Sequence, residues 1–284
     1  MSLNILLSYA LTSSNDIERI NKNIPIKTKI IIDSGAFTAF KTGKVIHLKE
    51  YVKFLENLPF EPYGYINLDV IGNPQASMDN YKKLRKMGLN PVPVITKGSQ
   101  LSEFDQYTDA PFIALGGLVS AIASKKETVG WIDLCVKEAK QREVPLHLLG
   151  VSSASMITRW LCGSADSSSW DSSTRYGRFS LYAGGGKMLG FDRRQVKTIF
   201  QNNSALQMLT KQHDVNPYNL IKEKNWRGGS SVIGNLSARA WVKYANDIEN
   251  RYAQKLFIAC IGSRAGVVIS QYKQEQEMLD GVKK

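Results

Sequence analysis

The 284-residue sequence predicts an α/β fold, a (β/α)8 TIM-type barrel with a basic, mostly helical C-terminal extension. Three observations predict it. Short apolar runs of four to seven residues alternate with amphipathic segments seven times in about the first 165 residues, the pattern of buried parallel strands joined by helical crossovers. Polar residues and glycines recur where those runs end, as they do on the functional rim of such barrels. No GxGxxG follows the first run, which disfavours the competing doubly wound sheet.

The runs read as strands are Ile5–Ala10, Lys29–Asp33, Tyr65–Val70, Pro91–Thr96, Phe112–Leu115, Leu146–Val151 and a short piece near Ala165. Arg178–Ala183, ahead of Gly184-Gly185-Gly186, is the expected eighth. Between them, Leu48, Tyr51, Val52, Leu55 and Leu58 share a helical face, and a second helix carries Tyr81 and Leu84 and stops at Gly88. A third runs through Ile132, Cys135, Val136 and Ala139. A fourth, capped by Ser153, carries Met156, Ile157 and Trp160 and ends at Gly163. After Gly190 the period becomes helical, through Val196, Ile199 and Phe200 and later Ala238, Trp241, Val242, Ala245 and Ile248. Trp226-Arg227-Gly228-Gly229 reads as a loop, and Leu256–Ile261 as either a strand or a buried helix. With no repeat and no low-complexity linker, residues 1–284 are expected to form one domain, with 191–284 as the extension and a fraying Gln271–Lys284 end.

Composition narrows the function classes. No run approaches the eighteen apolar residues of a membrane span, and the N-terminus lacks the basic region of a signal peptide, so a cytoplasmic setting is expected. Three cysteines and three histidines lie scattered, without the clustering a structural zinc site needs, so neither metal nor other cofactor is expected. Of the net charge of +12, residues 175–284 hold +10, with 18 Lys/Arg against 8 Asp/Glu. A polyanion-facing surface and a simple basic, soluble surface both fit that bias.

The chemistry is expected where strands end. Three aspartates stand there, in Asp33-Ser34-Gly35, at Asp69 and in Asp166-Ser167, beside Thr96-Lys97-Gly98, Gly116-Gly117 and Gly150-Val151. A carboxylate at the end of a buried strand is costly unless paired or used. Each aspartate taken singly also reads as a helix cap, Gly116-Gly117 as a tight turn, Phe37 and Phe40 as packing residues, and His147 as a buried, satisfied histidine.

The string Asp33-Ser34-Gly35-Ala36-Phe37 resembles the DSGGF segment of the tRNA-guanine transglycosylases. In the same order follow Leu68-Asp69, Ala114-Leu115-Gly116-Gly117-Leu118, His147-Leu148-Leu149-Gly150-Val151 and Ala165-Asp166-Ser167, similar to that family's base-reading aspartate, GGLA loop, YLMGVG strand and nucleophile segment. The matches span roughly residues 29–170, about half of the chain. The resemblance implies that Asp166 is the nucleophile on C1′ and Asp33 the general acid/base. It implies that Asp69 reads the guanine edge, and that Ser34, Phe37, Lys97, Gly116, Gly117 and Leu118 line the base site. Opening a glycosidic bond through an oxocarbenium-like state independently calls for an anionic carboxylate near C1′ and a second carboxyl to handle a proton.

The sequence also departs from that family. The zinc cluster after the nucleophile is missing, since only Cys260 follows residue 170. Thr38 replaces a glutamine, Lys97 lies where a second is expected, and Arg175 lies nine residues after Asp166 instead of six, which leaves Asp171 a rival nucleophile. These departures resemble the zinc-less branch that inserts 7-deazaguanines into DNA in bacteria and phages. The implied partners are DNA and a free 7-deazaguanine such as the 7-cyano form. Arg175, Arg178, Arg193, Arg194 and Lys197 are the expected phosphate contacts, and Trp170 or Tyr176 would fill the gap left by a flipped base. The alternatives are the same exchange on tRNA, a non-catalytic nucleic-acid-binding barrel, and an unrelated barrel hydrolase or aldolase.

Overall fold

The computed structural model describes residues 2–107, 109–118, 125–151, 154–171, 175–226 and 231–282. The expected Ser153 cap and the Arg227-Gly228-Gly229 loop lie outside them.

Eight parallel strands form one curled sheet, with many helices against it. In chain order the strands are β1 (Leu3–Ser8), β2 (Thr28–Asp33), β3 (Gly64–Tyr65), β4 (Val94–Thr96), β5 (Ile113–Gly116), β6 (Leu146–Leu148) and β7 (Gly163–Ser167). An antiparallel hairpin of β8 (Arg178–Tyr182) and β9 (Met188–Asp192) stands apart, and β10 (Lys255–Cys260) completes the sheet in the order β3-β2-β1-β10-β7-β6-β5-β4. The two edge strands approach each other. Ile66 and Val92 form an isolated parallel bridge, Val92 N–H donating to Tyr65 O and Asn67 N–H to Val92 O, each at 2.8 Å. The α/β class and the curled parallel sheet match the expectation; the edges meet at a single bridge and not along a continuous ladder.

Alternation along the strands sorts side chains into two layers, because successive residues point to opposite faces. Leu3, Ile5, Leu7, Ile30, Ile32, Ile113, Leu115, Leu256 and Ile258 face outward, in one buried cluster with helix residues such as Ile17, Ile20, Tyr51 and Ile132. Leu6, Ile31, Ile66, Val92, Phe112, Ala114 and Phe257 form a second cluster, which the alternation places inside the curl. Each fully buried Leu, Ile or Phe contributes about 1.5–3 kcal/mol, so this two-sided burial holds the strands in register.

The helices that matter for the site are α1 (Ser14–Asn23), α2 (Ala36–Thr42), α3 (Leu48–Glu56), α4 (Pro74–Lys86), α5 (Lys125–Gln141) and α6 (Ala154–Ile157), followed by α7 (Arg193–Ile199), α8 (Ser204–Gln212), α9 (Val232–Tyr252) and α10 (Gly262–Val282). Ser13 caps α1 with a full capping box, and Asn73 with Pro74 starts α4.

Two expectations require correction. Arg178–Ala183 is no barrel strand. It pairs antiparallel with β9 through the three-glycine turn, and Phe179 and Leu181 bury into a satellite core with Val196, Phe200, Leu209, Trp226 and Ile233. The eighth parallel strand is β10, between β1 and β7, with Ile258 opposite Ile5 and Phe257 opposite Asp166. Residues 191–284 are therefore no extension. The basic stretch around the hairpin is inserted between β7 and α9, and the chain then returns to complete the sheet. Helix α10 packs on α1, α9 and β1 in place of fraying from residue 271. No helix among the described residues is long and apolar enough to cross a membrane.

Candidate functional site: three carboxylates at the carboxyl end of the sheet

Asp33 ends β2, opposite Ser8 at the end of β1. The chain then turns sharply at Gly35, whose φ is +76° and where an added Cβ would lie 2.4 Å from that of Ala10. Only glycine satisfies both the left-handed backbone and the close approach. The turn brings Gly35 N–H to 3.0 Å from Asp33 Oδ2. Burial and the neighbouring Asp166 charge nevertheless push the Asp33 carboxyl up to about 6, against the opposing pull of Gly35, Ser8 and His147.

Asp69 lies in the loop after β3. Asn67, itself buried, donates from Nδ2 to Asp69 Oδ1 at 3.1 Å and to Ser77 O at 3.0 Å, while Asn80 Nδ2 holds Leu68 O at 2.9 Å. These bonds tie the loop to α4. Burial dominates here too: the Asp69 carboxyl is raised to about 7, with the Asp33 charge adding to the shift and the Asn67 bond opposing it.

Asp166 is the penultimate residue of β7 and is buried. Its Oδ1 accepts from Gly150 N–H at 2.8 Å and lies 3.3 Å from His147 Nε2, whose Nδ1 is 2.8 Å from Ser164 Oγ. The imidazole thus bridges two polar groups of β7, with Nε2 toward Asp166 and Nδ1 toward Ser164. His147 is fully buried, wedged between Phe112 and Phe257. All three aspartates accept hydrogen bonds, and burial holds Asp33 and Asp69 toward protonation.

Other expected residues fall at the same rim with distinct surroundings. Ser34 is buried. A Cβ on Gly116 would press to 2.9 Å of Val94 Cγ1, and Gly117, at φ +72°, lies against Thr96 and Lys97, so this pair lets the end of β5 pack on β4. Leu118 is half-buried. Lys97 Nζ donates to Thr128 Oγ1 on α5 at 3.0 Å. Phe37 and Phe40 are 54% and 63% exposed on α2, not packed as expected.

The cationic residues gather on the inserted unit. Arg178 lies 3.8 Å from Asp192, Arg193 pairs with Glu223 at 2.8 Å and covers the Trp226 ring, and Arg194 and Lys197 are exposed on α7. Arg175 flanks the exposed Tyr176. Trp170 cannot fill a gap left by a flipped base as it stands: it is 1% exposed and its indole N–H donates to Ala259 O at 2.8 Å. Asp171 is engaged by Arg264 at 2.7 Å and by Arg175 at 3.6 Å.

His147, Ser164 and Asn67 were not singled out as site residues from the sequence. Strand alternation was the available signal, since Ser164 and Asp166 are two apart and must share a face. Among the described residues no group of three or more His, Cys, Asp or Glu is arranged to hold a metal ion. Cys135, Cys162 and Cys260 are free, and burial pushes the first two thiols up to about 12.

No family model matches the chain, and no curated protein matches it. Among solved structures, PaMucR phosphodiesterase in complex with c-di-GMP is similar over 52% of this chain and 62% of its own, at 16% identity and a TM-score of 0.34. A likeness at that level carries no weight for fold or function.

Proposed function

We propose that this protein is a guanine transglycosylase that exchanges guanine in DNA for a 7-substituted 7-deazaguanine, on a (β/α)8-type scaffold whose edge strands approach at the Ile66–Val92 bridge. The observation that supports it most is the unequal setting of the three carboxylates at one end of the sheet: Asp166 held by Gly150 N–H and His147, Asp33 raised to about 6 and Asp69 to about 7. Enzymes that divide nucleophile and acid/base roles between carboxyls separate them by environment in this way.

In the proposed reaction an Asp166 oxygen attacks C1′ and the C1′–N9 bond breaks with its electron pair passing to guanine. Asp33 in its acid form supplies the proton that the departing base takes. The incoming deazaguanine then gives its N9 proton to Asp33, N9 attacks C1′, and the ester bond to Asp166 breaks to restore the carboxylate. Asp69 as the anion accepts from N1–H and the exocyclic amine. Those two donors favour its charged form, so binding a guanine-like base releases a proton near neutral pH.

Intact-mass analysis tests the reading. Wild type mixed with guanine-containing DNA is expected to form a covalent protein–DNA adduct that disappears on adding deazaguanine, and Asp166→Asn is expected to form none. Absence of an adduct and of labelled-guanine exchange in wild type would sink the proposal. Exchange into tRNA but not into DNA would move the same chemistry to the other nucleic acid.

A further inference from the structure

We propose that the segment 36–49, comprising α2, the turn after it and the start of α3, is a platform for single-stranded nucleic acid, so that the target guanine is taken from an unpaired strand. The inference rests on the nucleic-acid reading above and specifies the form of the substrate.

Helix α2 leaves the carboxyl end of β2 directly behind Asp33. Phe37 and Phe40 are three residues apart, hence neighbours on one helical face, and both rings are more than half exposed. Val45, in the following turn, is 75% exposed. Lys41 Nζ stands 4.4 Å from the centroid of the Phe37 ring, and Lys44 and Lys49 are exposed further along the segment. No carboxylate occurs between Asp33 and Glu50. A solvent-facing aromatic pair contributes little to folding, and here it is interleaved with cations on the segment that follows the candidate general acid in the chain.

That combination fits one ligand chemistry. An unpaired strand offers base faces for stacking and phosphates for the lysines, which is how non-sequence-specific single-strand binders work. A duplex keeps its base faces stacked and offers mainly phosphates, for which lysines alone suffice. Negative charge on the site's carboxyls repels a phosphate backbone, so cations on the adjoining rim help to hold it there. The inserted arginine-bearing unit follows β7, elsewhere around the same rim, and provides a second cationic contact.

Fluorescence anisotropy with a labelled guanine-containing 15-mer of DNA, single-stranded and as its duplex, at several salt concentrations, tests this. Wild type is expected to bind the single strand at least about tenfold more tightly than the duplex. Phe37→Ala/Phe40→Ala is expected to lose about tenfold or more for the single strand with little change for the duplex, given the usual worth of base–aromatic stacking. Phe37→Leu/Phe40→Leu, which keeps an apolar surface, is expected to lose nearly as much. Lys41→Gln/Lys44→Gln is expected to flatten the single-strand salt dependence by about 1.4 in log–log slope. Equal binding of both DNA forms, or no effect of the alanine pair while DNA still binds, overturns the platform and leaves the transglycosylase reading intact. If neither form of DNA nor tRNA binds, that reading fails as well. Affinity of this segment for anionic phospholipid vesicles in place of DNA also overturns the platform.

Discussion

The two ends of the curled sheet carry charge in opposite ways. At the amino end Tyr63 stacks against Phe112 and Phe257 with ring centroids 5.9 and 5.8 Å away, and Lys29 and Lys255 both lie over its ring. Glu249 there accepts from the Ser2 hydroxyl at 2.7 Å and from Asn4 at 3.5 Å. At the carboxyl end two of three aspartates are left in surroundings that disfavour their charge. Polar groups at the amino end tie neighbouring elements together, while Asp33 and Asp69 at the carboxyl end are buried at a cost to stability. The same division between a stability face and a chemical face is general to such sheets.

Breaking the carboxyl end tests the comparison most severely. Asp166→Asn is expected to reduce labelled-guanine exchange by about 10⁴-fold or more, as losing a covalent nucleophile does, with stability to urea no lower than in wild type. Asp33→Asn is expected to cost about 10²–10⁴-fold in the same assay, the usual worth of a general acid/base. A loss under tenfold in either variant would remove that residue from its proposed role.

The poised state also has a signature in stability against pH. Both raised carboxyls bind more protons folded than unfolded between about pH 4 and pH 6–7, so stability from these groups is full below about 4 and falls as pH rises through their folded values. Asp33→Asn and Asp69→Asn are therefore expected to flatten the decline between pH 4.5 and 8 and to stabilise the fold at pH 8 by on the order of 1–3 kcal/mol each. Urea denaturation at the two pH values measures it. Destabilisation at pH 8 would place these groups with the amino end in the comparison.

His147 sharpens the contrast, because it is a buried polar residue set against Asp166 at the carboxyl end. His147→Phe removes the ring nitrogens between Ser164 and Asp166. Exchange is expected to fall about 10–100-fold, chiefly in kcat with KM little changed, and a substantial part is expected to return in His147→Gln. A change confined to melting temperature would reduce the residue to packing. The smallest effects belong to the amino end: Tyr63→Ala is expected to cost about 1–2 kcal/mol in urea unfolding and to leave exchange per folded molecule unchanged.

Much of this carboxyl end was legible in the sequence, because strand-end aspartates next to glycines are local signals. Asp33-Ser34-Gly35 needs only a strand, a turn and a helix in succession. What was not legible depended on pairing between distant segments. Leu256–Ile261 is an apolar run too short for periodicity to separate strand from buried helix, and its neighbours β1 and β7 lie about 250 and 90 residues away in the chain. The Arg178–Ala183 run looks equally strand-like, and it is a strand, but the three glycines that follow let it satisfy itself in a hairpin. His147 was hidden by its surroundings. It lies in an apolar run, and only the alternation of β6 against β7 turns it toward Asp166. Phe37 and Phe40 misled in the opposite sense, since aromatic residues are buried more often than exposed.

The position of β10 has a consequence for how the chain is made. Its two neighbours in the sheet, β1 and β7, are both finished long before residues 255–260 leave the ribosome. Until then each presents an open strand edge, the kind of surface that recruits other chains. Strand β10 thus seals two edges at once, and its late synthesis is the step that converts a sticky intermediate into a protected one. For the same reason the arginine-bearing insertion is synthesised before the sheet that carries it is complete, and its satellite core gives that stretch a place to bury Phe179, Leu181 and Trp226 in the meantime.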